Sequence, residues 1–331
     1  MTLQVAATGR LTSEQVRSAL RAATLAPSTH NTQPWLFASG PGGIEVRADP
    51  DRILPVADAD RRELLLSCGA ALFNLRAAIH ACGVHPVVTL FPRRPEPDLL
   101  AVVRPVGGAS VDDRLARLAR EIPRRHTNRS PFSTEVVPPA VVGLLRHAAE
   151  LEHAWLPRLD HGQVAGLKEL VRTSHRIQMN DPAFVAEWQR WTARDRSSRD
   201  GVPMSAGGTP PAGDAWVLRD FGTRAAGSLR PGPAPEPLVV VIGSFGDDHL
   251  DRLRTGQAMQ RVLLTATALR LDASFISQPV EVAHLRERLR VLLGGGVWPQ
   301  IILRLGHGSP AAPVPRRDLE EVVVAPTLLT A

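Results

Sequence analysis

Two stretches of the chain, 64–91 (LLLSCGAALFNLRAAIHACGVHPVVTLF) and 251–280 (DRLRTGQAMQRVLLTATALRLDASFISQPV), follow one pattern once Gly69 is set against Gly256. The alignment pairs Ala71 with Ala258, Leu72 with Met259, Leu75 with Val262 and Val84 with Leu271. In both, apolar residues recur at steps of three and four, as on an amphipathic helix, and then pass into a short strand. The flanks repeat as well. An apolar strand precedes each stretch (GIEVRA, 43–48; PLVVVIGS, 237–244), and another follows (LLAVVRPVG, 99–107; PQIILRLGHG, 299–308). Further upstream stand two amphipathic helices, TSEQVRSALRAAT at 12–24 and PPAVVGLLRHAAE at 138–150. The order helix, strand, helix, strand, strand therefore occurs twice, which predicts a layered α+β fold built from two tandem units.

The expected units are 1–120 and 121–331, the second carrying an insertion at 163–233. The insertion opens as a helix that places Met179, Phe184, Trp188 and Trp191 on one face. It continues as a Gly/Pro/Ser-rich loop, RDRSSRDGVPMSAGGTPPAGD (194–214), then AWVLRDF (215–221) and RPGPAPEP (230–237). A loop of this length is either disordered or a functional lid. Three tryptophans, counting Trp216, favour a segment that folds back over something.

Composition removes several function classes. At 331 residues and 44% hydrophobic content the chain can bury a substantial core. The net charge is +6, and Lys168 is the only lysine, but the arginines are scattered among 33 acidic residues and Tyr is absent. This is a poor match to a nucleic-acid-binding stripe. No run of 18 apolar residues occurs and MTLQVAATGR lacks the regions of a signal peptide, so a cytoplasmic protein without membrane attachment is expected. Cys68 and Cys82 share one apolar helical run and read as reduced core thiols. The eleven histidines show no His-Glu-x-x-His spacing, so no metal is expected. Gly294-Gly295-Gly296 is not followed by Lys-Ser/Thr and reads as a turn before the last strand.

The chemistry concentrates in three places. APSTHNTQPW (26–35) follows the first helix and gathers hydroxyls, amides and backbone N–H groups at Pro27, Ser28, Thr29, Asn31 and Gln33, beside a rigid Pro34-Trp35 wall. A polar edge on a flat apolar wall suits an isoalloxazine or a nucleobase; a self-bonded capped loop is the plain alternative. In RRHTNRSPF (124–132), an extended backbone projects Arg125, Thr127 and Arg129 to one side, as an anion clamp or as an ordinary basic loop before a helix. PVPRRDLEEVV (313–323) holds the pair Arg316-Arg317, which taken alone reads as solvent-facing.

Taken together these segments resemble the FMN-dependent nitroreductase family over nearly the whole chain outside the insertion. APSTHNTQPW is similar to the family's APSxxNxQPW-like loop. Arg125-His126-Thr127 resembles its Arg-x-Ser/Thr phosphate motif, with Arg129 where a cation faces the flavin pyrimidine. Pro279-Val280-Glu281 resembles its flavin-contact loop, and Arg316-Arg317 its C-terminal basic pair. The fusion, the loop and the long insertion are similar to the Acg subgroup. The resemblance implies a covalently fused pseudo-dimer with one composite FMN site. The first unit would supply the 26–35 loop and the second the phosphate clamp. It also implies a lid and electron transfer from NAD(P)H through the flavin to a small quinone-like or nitroaromatic acceptor. The alternative is an FMN-sequestering or redox-sensing protein whose closed lid prevents turnover.

Overall fold

The first helix, α1 (Ser13–Thr24), starts at a capping box. The Thr12 hydroxyl accepts from the Gln15 amide, and the Gln15 side chain accepts from the Thr12 amide at 2.9 Å. In this computed structural model, residues 5–93, 96–108, 113–194, 197–203, 206, 216 and 237–326 are described. After the 25–34 loop, β1 (Trp35–Gly40) and β2 (Gly43–Ala48) pair as a tight hairpin. There follow α2 (Arg62–Ala81), β3 (Val84–Leu90) and β4 (Leu99–Gly108), closing an antiparallel sheet of order β1-β2-β4-β3. Next come α3 (Asp113–Glu121), α4 (Pro139–Glu150), α5 (His161–Met179) and α6 (Pro182–Trp191). The short parallel pair β5 (Thr192–Arg194) and β6 (Val202–Pro203) follows. The last elements are β7 (Leu238–Ser244), α7 (His249–Ala268), β8 (Asp272–Phe275), α8 (Gln278–Glu281), α9 (Ala283–Leu292), β9 (Trp298–Gly306) and α10 (Leu319–Val322).

The second sheet has the order β7-β9-β8, again antiparallel. Trp155 bridges Gly243 and Arg158 bridges Val240, both antiparallel, so residues 155–158 lie along β7 as β1 lies along β2. With that segment included, the second sheet repeats the strand order of the first.

The repeat also governs the packing of α2 against α7, the two long helices between the sheets. A methyl group on Gly69 would overlap the Leu253 carbonyl oxygen and come within 2.9 Å of the Gly256 Cα. A methyl on Gly256 would overlap the Leu66 carbonyl oxygen. Each glycine thus meets the residue three positions before the other, as a twofold-related crossing requires. About one turn on, Gln260 donates to the Asn74 side chain at 2.7 Å, and Asn74 donates to the Ala22 carbonyl at 3.0 Å. Around this crossing one core cluster joins Leu72 and Val262 of the two helices to residues of both sheets, including Phe37, Val46, Ile301 and Leu303. The segment after α10 returns to the first sheet: Val324 N donates to Phe37 O at 2.8 Å beside a parallel bridge at Val323.

Two expectations change. The single helix expected from the aromatic spacing is two helices. Asn180 ends α5, the Asp181 carboxylate accepts from Ala183 N at 2.9 Å, and Pro182, which cannot donate inside a helix, opens α6. Cys68 is a buried thiol that donates to the Pro34 carbonyl, but Cys82 lies just past α2 and is exposed rather than in the core. Among the described residues α2 is the one helix long and apolar enough to cross a membrane, and it is a core helix, with 83% of its most apolar stretch buried. Most of the loop from 204 to 236, with AWVLRDF and RPGPAPEP, lies outside the described residues, apart from Ala206 and Trp216. Trp216 is buried against the α5 side of the second sheet, under Lys168.

Candidate functional site

One cavity lies where the two halves meet. Its floor is formed by β9 at Gln300–Ile302 and by Ser274–Gln278, from the end of β8 to the start of α8, and its walls by the first turns of α2, by Met259, by the 27–31 loop and by Arg125–Arg129. The last of these is positioned by strand pairing: Thr127 forms a parallel bridge with Ala273, and Asn128 N donates to Ala273 O at 2.9 Å.

The 27–31 wall is held in a tight, strained path. His30, Asn31 and Gln33 have φ of 50°, 55° and 53°, in the left-handed region. Such residues cost about 1 kcal/mol each, and persist where surrounding contacts over-determine them. Here the contacts come from two distant segments. Asn31 donates from Nδ2 to Gly201 O at 2.9 Å and Pro315 O at 3.1 Å, while its Oδ1 accepts from Arg316 Nη1 at 3.0 Å. Gly201 N in turn donates to Asn31 O. Gln33 donates to Arg199 O at 2.8 Å and accepts from Arg317 N at 2.8 Å. Residues 199–203 therefore cross this loop, where Asp200 also pairs with Arg52 at 2.6 Å and Val202 joins the cavity wall. Asn31 lines the cavity, yet its amide is engaged within the protein rather than offered to a ring edge.

Three arginines face the cavity, Arg125 buried and Arg129 and Arg316 half-buried. Arg125 is 5% exposed, forms no ion pair among the described residues, and leaves Nε and Nη1 without a hydrogen-bond partner. Burial, with Arg316 and Arg129 nearby, pushes it down to about 9, so it is still charged at neutral pH. Burial likewise lowers Arg129 and Arg316 to about 10. Arg129 donates to Ala206 O at 3.0 Å. Arg316 is held by carbonyl oxygens at Thr24, Ala26, Val314 and Pro315. His126 is lowered by burial and by Arg125, which keeps it neutral at pH 7. A buried guanidinium with open donors is costly unless an anion meets it. The arrangement can hold an anion.

The other end of the cavity is different. Glu63, in the first turn of α2, accepts from Thr29 Oγ1 at 2.7 Å and from Arg62 Nη2 at 2.8 Å. Gln300 donates from Nε2 to Ser244 Oγ and to the Asp247 carboxylate at 2.8 Å. A carboxylate only accepts, so these bonds fix the amide with its Oε1 unpartnered in a residue 1% exposed.

Ten of the fourteen residues singled out from sequence line this one cavity: Pro27, Ser28, Thr29, Asn31, Arg125, His126, Thr127, Arg129, Val280 and Arg316. Four do not. Gln33 and Arg317 sit behind the wall, Arg317 bonding Asp49 at 3.0 Å and the Glu321 carbonyl. Pro279 and Glu281 belong to α8, with Glu281 accepting from Gln178 at 2.6 Å. Glu63 and Gln300 were not legible as site residues. An acid in the first turn of a helix is ordinary dipole chemistry, and a glutamine within PQIILRLG carries only the weak signal of one polar residue in an apolar strand.

No family model matches the chain. The chain is 34% identical over 324 residues to a Mycobacterium tuberculosis protein called "Putative NAD(P)H nitroreductase Rv3131", covering 95% of this chain and 92% of the other. A second relative from that organism, a nitroreductase homologue called acg, is 28% identical over 94% of this chain and 96% of its own length. Among solved structures, the FMN-dependent nitroreductase NfnB from Mycobacterium smegmatis in complex with NADPH is 17% identical, with a TM-score of 0.39, covering 62% of this chain and 97% of that one. With matching over almost its full length, the chain belongs to the NAD(P)H nitroreductase family, in its Acg-like branch.

Proposed function

We propose that the cavity holds one FMN and that the chain is an FMN-dependent oxidoreductase. It would pass electrons from NAD(P)H to a small quinone-like or nitroaromatic acceptor. The observation that carries this reading is Arg125: a buried, charged guanidinium with two open donors in a cavity that also presents Arg129, Arg316 and the Thr127 hydroxyl. A phosphate monoester supplies the missing acceptors and charge in one group. The apolar surface of Leu66, Met259, Phe275 and Ile276 suits a flat heterocycle beyond it. When bound, FMN would supply the two-electron chemistry; the protein's part is to bind, orient and shield. Arg125, Thr127 and Arg316 would hold the phosphate. Arg129 would face the ring and favour negative charge on it. Ser28 and Thr29 would bound the cavity from the first half, and residues 199–203 would limit water.

On this reading the chain is a fused pseudo-dimer of units 1–120 and 121–331, with 163–233 inserted in the second. The place symmetric to the cavity is a groove between β3 (His85–Val88), α7 (Arg254, Gln257) and the end of α4 (Glu152, His153). There Glu152 is clamped by Arg76 at 2.7 Å and Arg261 at 3.0 Å, an internal ion cluster in place of an open anion clamp. One FMN per chain is the expected stoichiometry.

The test is anaerobic mixing of the yellow protein with NADH or NADPH. Rapid bleaching of the flavin bands is expected of the oxidoreductase. A second reading, FMN held for storage or sensing, draws support from the insertion's bonds across the loop at Asn31, Gln33 and Arg52. It predicts bleaching by dithionite alone. Removing the Asp200 carboxylate (Asp200→Ala) should then loosen the lid and raise the FMN dissociation rate severalfold, read by flavin fluorescence on dilution.

A further inference from the structure

Resting on the FMN reading, we propose that Glu63 is the proton donor of this site: its neutral carboxyl delivers a proton to an oxygen of the acceptor as that acceptor is reduced. Three observations place it there. The carboxyl lines the cavity on the first turn of α2 and is buried, with 6% exposure. Its oxygens are held in a fixed orientation, one by Thr29 and the other by Arg62. Gln300 lines the same cavity, and its amide, locked by Ser244 and Asp247, keeps a buried Oε1 without a partner, an acceptor suited to an N–H or O–H at that end. Thr127 lies opposite Ala273, which pairs with Leu305, five residues along β9 from Gln300, or about 16 Å at the rise of a strand. The anion clamp and the Glu63–Gln300 corner are thus opposite ends of an elongated site.

The charges around Glu63 favour a proton on it. Burial and the Glu281 carboxylate of α8, with Asp58 ahead of α2, push Glu63 up to about 8, against the pull of Arg62 and the Thr29 hydroxyl. Asp58 is a poorer holder of a transferable proton: both its oxygens accept backbone N–H groups, which only donate, whereas the Thr29 hydroxyl on Glu63 can turn and accept from a protonated carboxyl. The other ionisable groups on the cavity wall are Arg125, Arg129, Arg316, His30 and His126. A group poised near neutral pH in a water-poor site is suited to acid catalysis.

The step balances with NAD(P)H as reductant. A quinone gains a hydride equivalent, two electrons and one proton, from the reduced site, and needs one more proton. The Glu63 O–H bond breaks as an O–H bond forms on the acceptor, leaving a carboxylate held by Arg62 and Thr29. Solvent returns the proton after product leaves.

The experiment is stopped-flow reoxidation of the dithionite-reduced, FMN-loaded protein by a benzoquinone, between pH 6 and 10. The wild-type rate should fall about tenfold per unit above pH 8. Glu63→Gln should be slowed at least tenfold at pH 7 and lose the pH dependence, and Glu63→Asp should restore a pH-dependent rate. A parallel infrared titration of the wild-type protein should show a protonated-carboxyl band that vanishes near pH 8 and is missing from Glu63→Gln. Unchanged profiles in Glu63→Gln, or no such band in the wild-type protein, would overturn the assignment. Failure of the chain to retain FMN would instead overturn the cofactor reading beneath it.

Discussion

Arg125→Met should weaken FMN binding by about 10- to 100-fold while leaving the melting temperature of the FMN-free chain unchanged or higher. The first half follows from the worth of a charged hydrogen bond, about 1.5–3 kcal/mol, with each 1.4 kcal/mol giving about tenfold in affinity. The second half follows from what Arg125 does without an anion. Its Nε and Nη1 are buried with no partner, and Arg316 and Arg129 repel it. Replacing such a group by an apolar side chain of similar volume removes a penalty rather than a contact. Arg316→Met makes the contrast. Arg316 ties the Thr24, Ala26 and Pro315 carbonyls and the Asn31 side chain together, so its loss should lower both affinity and melting temperature. Fluorescence titration with FMN and calorimetry of the FMN-free chains read the two effects separately. Equal destabilisation by both substitutions would mean that Arg125 is a structural residue.

The second large effect is expected at the helix crossing. An exposed glycine inside a helix is normally improved by alanine, by roughly 1 kcal/mol. Gly256→Ala should reverse that sign, because the new methyl would overlap the Leu66 carbonyl oxygen, and backbone cannot swing aside as a side chain can. The cost should lie near the upper end of about 1–3 kcal/mol for overpacking, out of a total stability of about 5–15 kcal/mol. Gly69→Ala should behave alike, and the pair should not add, since they share one contact. Gly143, within α4, has open space where its Cβ would lie and serves as the control: Gly143→Ala should be neutral or stabilising. Denaturant unfolding of the four variants measures all of this. If Gly256→Ala is neutral, the close approach of α2 and α7 is not what sets their packing.

The tandem architecture was legible because each long helix carries its apolar residues over some twenty positions, long enough for the 3.6 period to survive divergence. Aligning Gly69 with Gly256 found the crossing point itself, since only glycine permits backbones to approach so closely. The segment at 155–158 was harder to see, as Pro157 interrupts it and only two bridges tie it to β7. At the site, two motifs from opposite halves of the chain do meet at one cavity. Which way individual side chains point was beyond the sequence. Arg316 and Arg317 are neighbours, yet one turns to the cavity and the other to Asp49; Asn31 lines the cavity and Gln33 stands behind it. Those choices depend on left-handed backbone at His30, Asn31 and Gln33, none of which is a glycine that would advertise it. Glu63 and Gln300 gain their meaning from burial, which no local pattern reports.

On the proposed function, one phosphate-bearing flavin sits on Arg125 in one cavity per chain. Titration of the FMN-free chain with FMN, and in parallel with riboflavin, tests it most directly. Saturation at one FMN per chain is expected, with riboflavin bound at least tenfold more weakly. Saturation at two FMN per chain, or equal affinity for the two flavins, would contradict it.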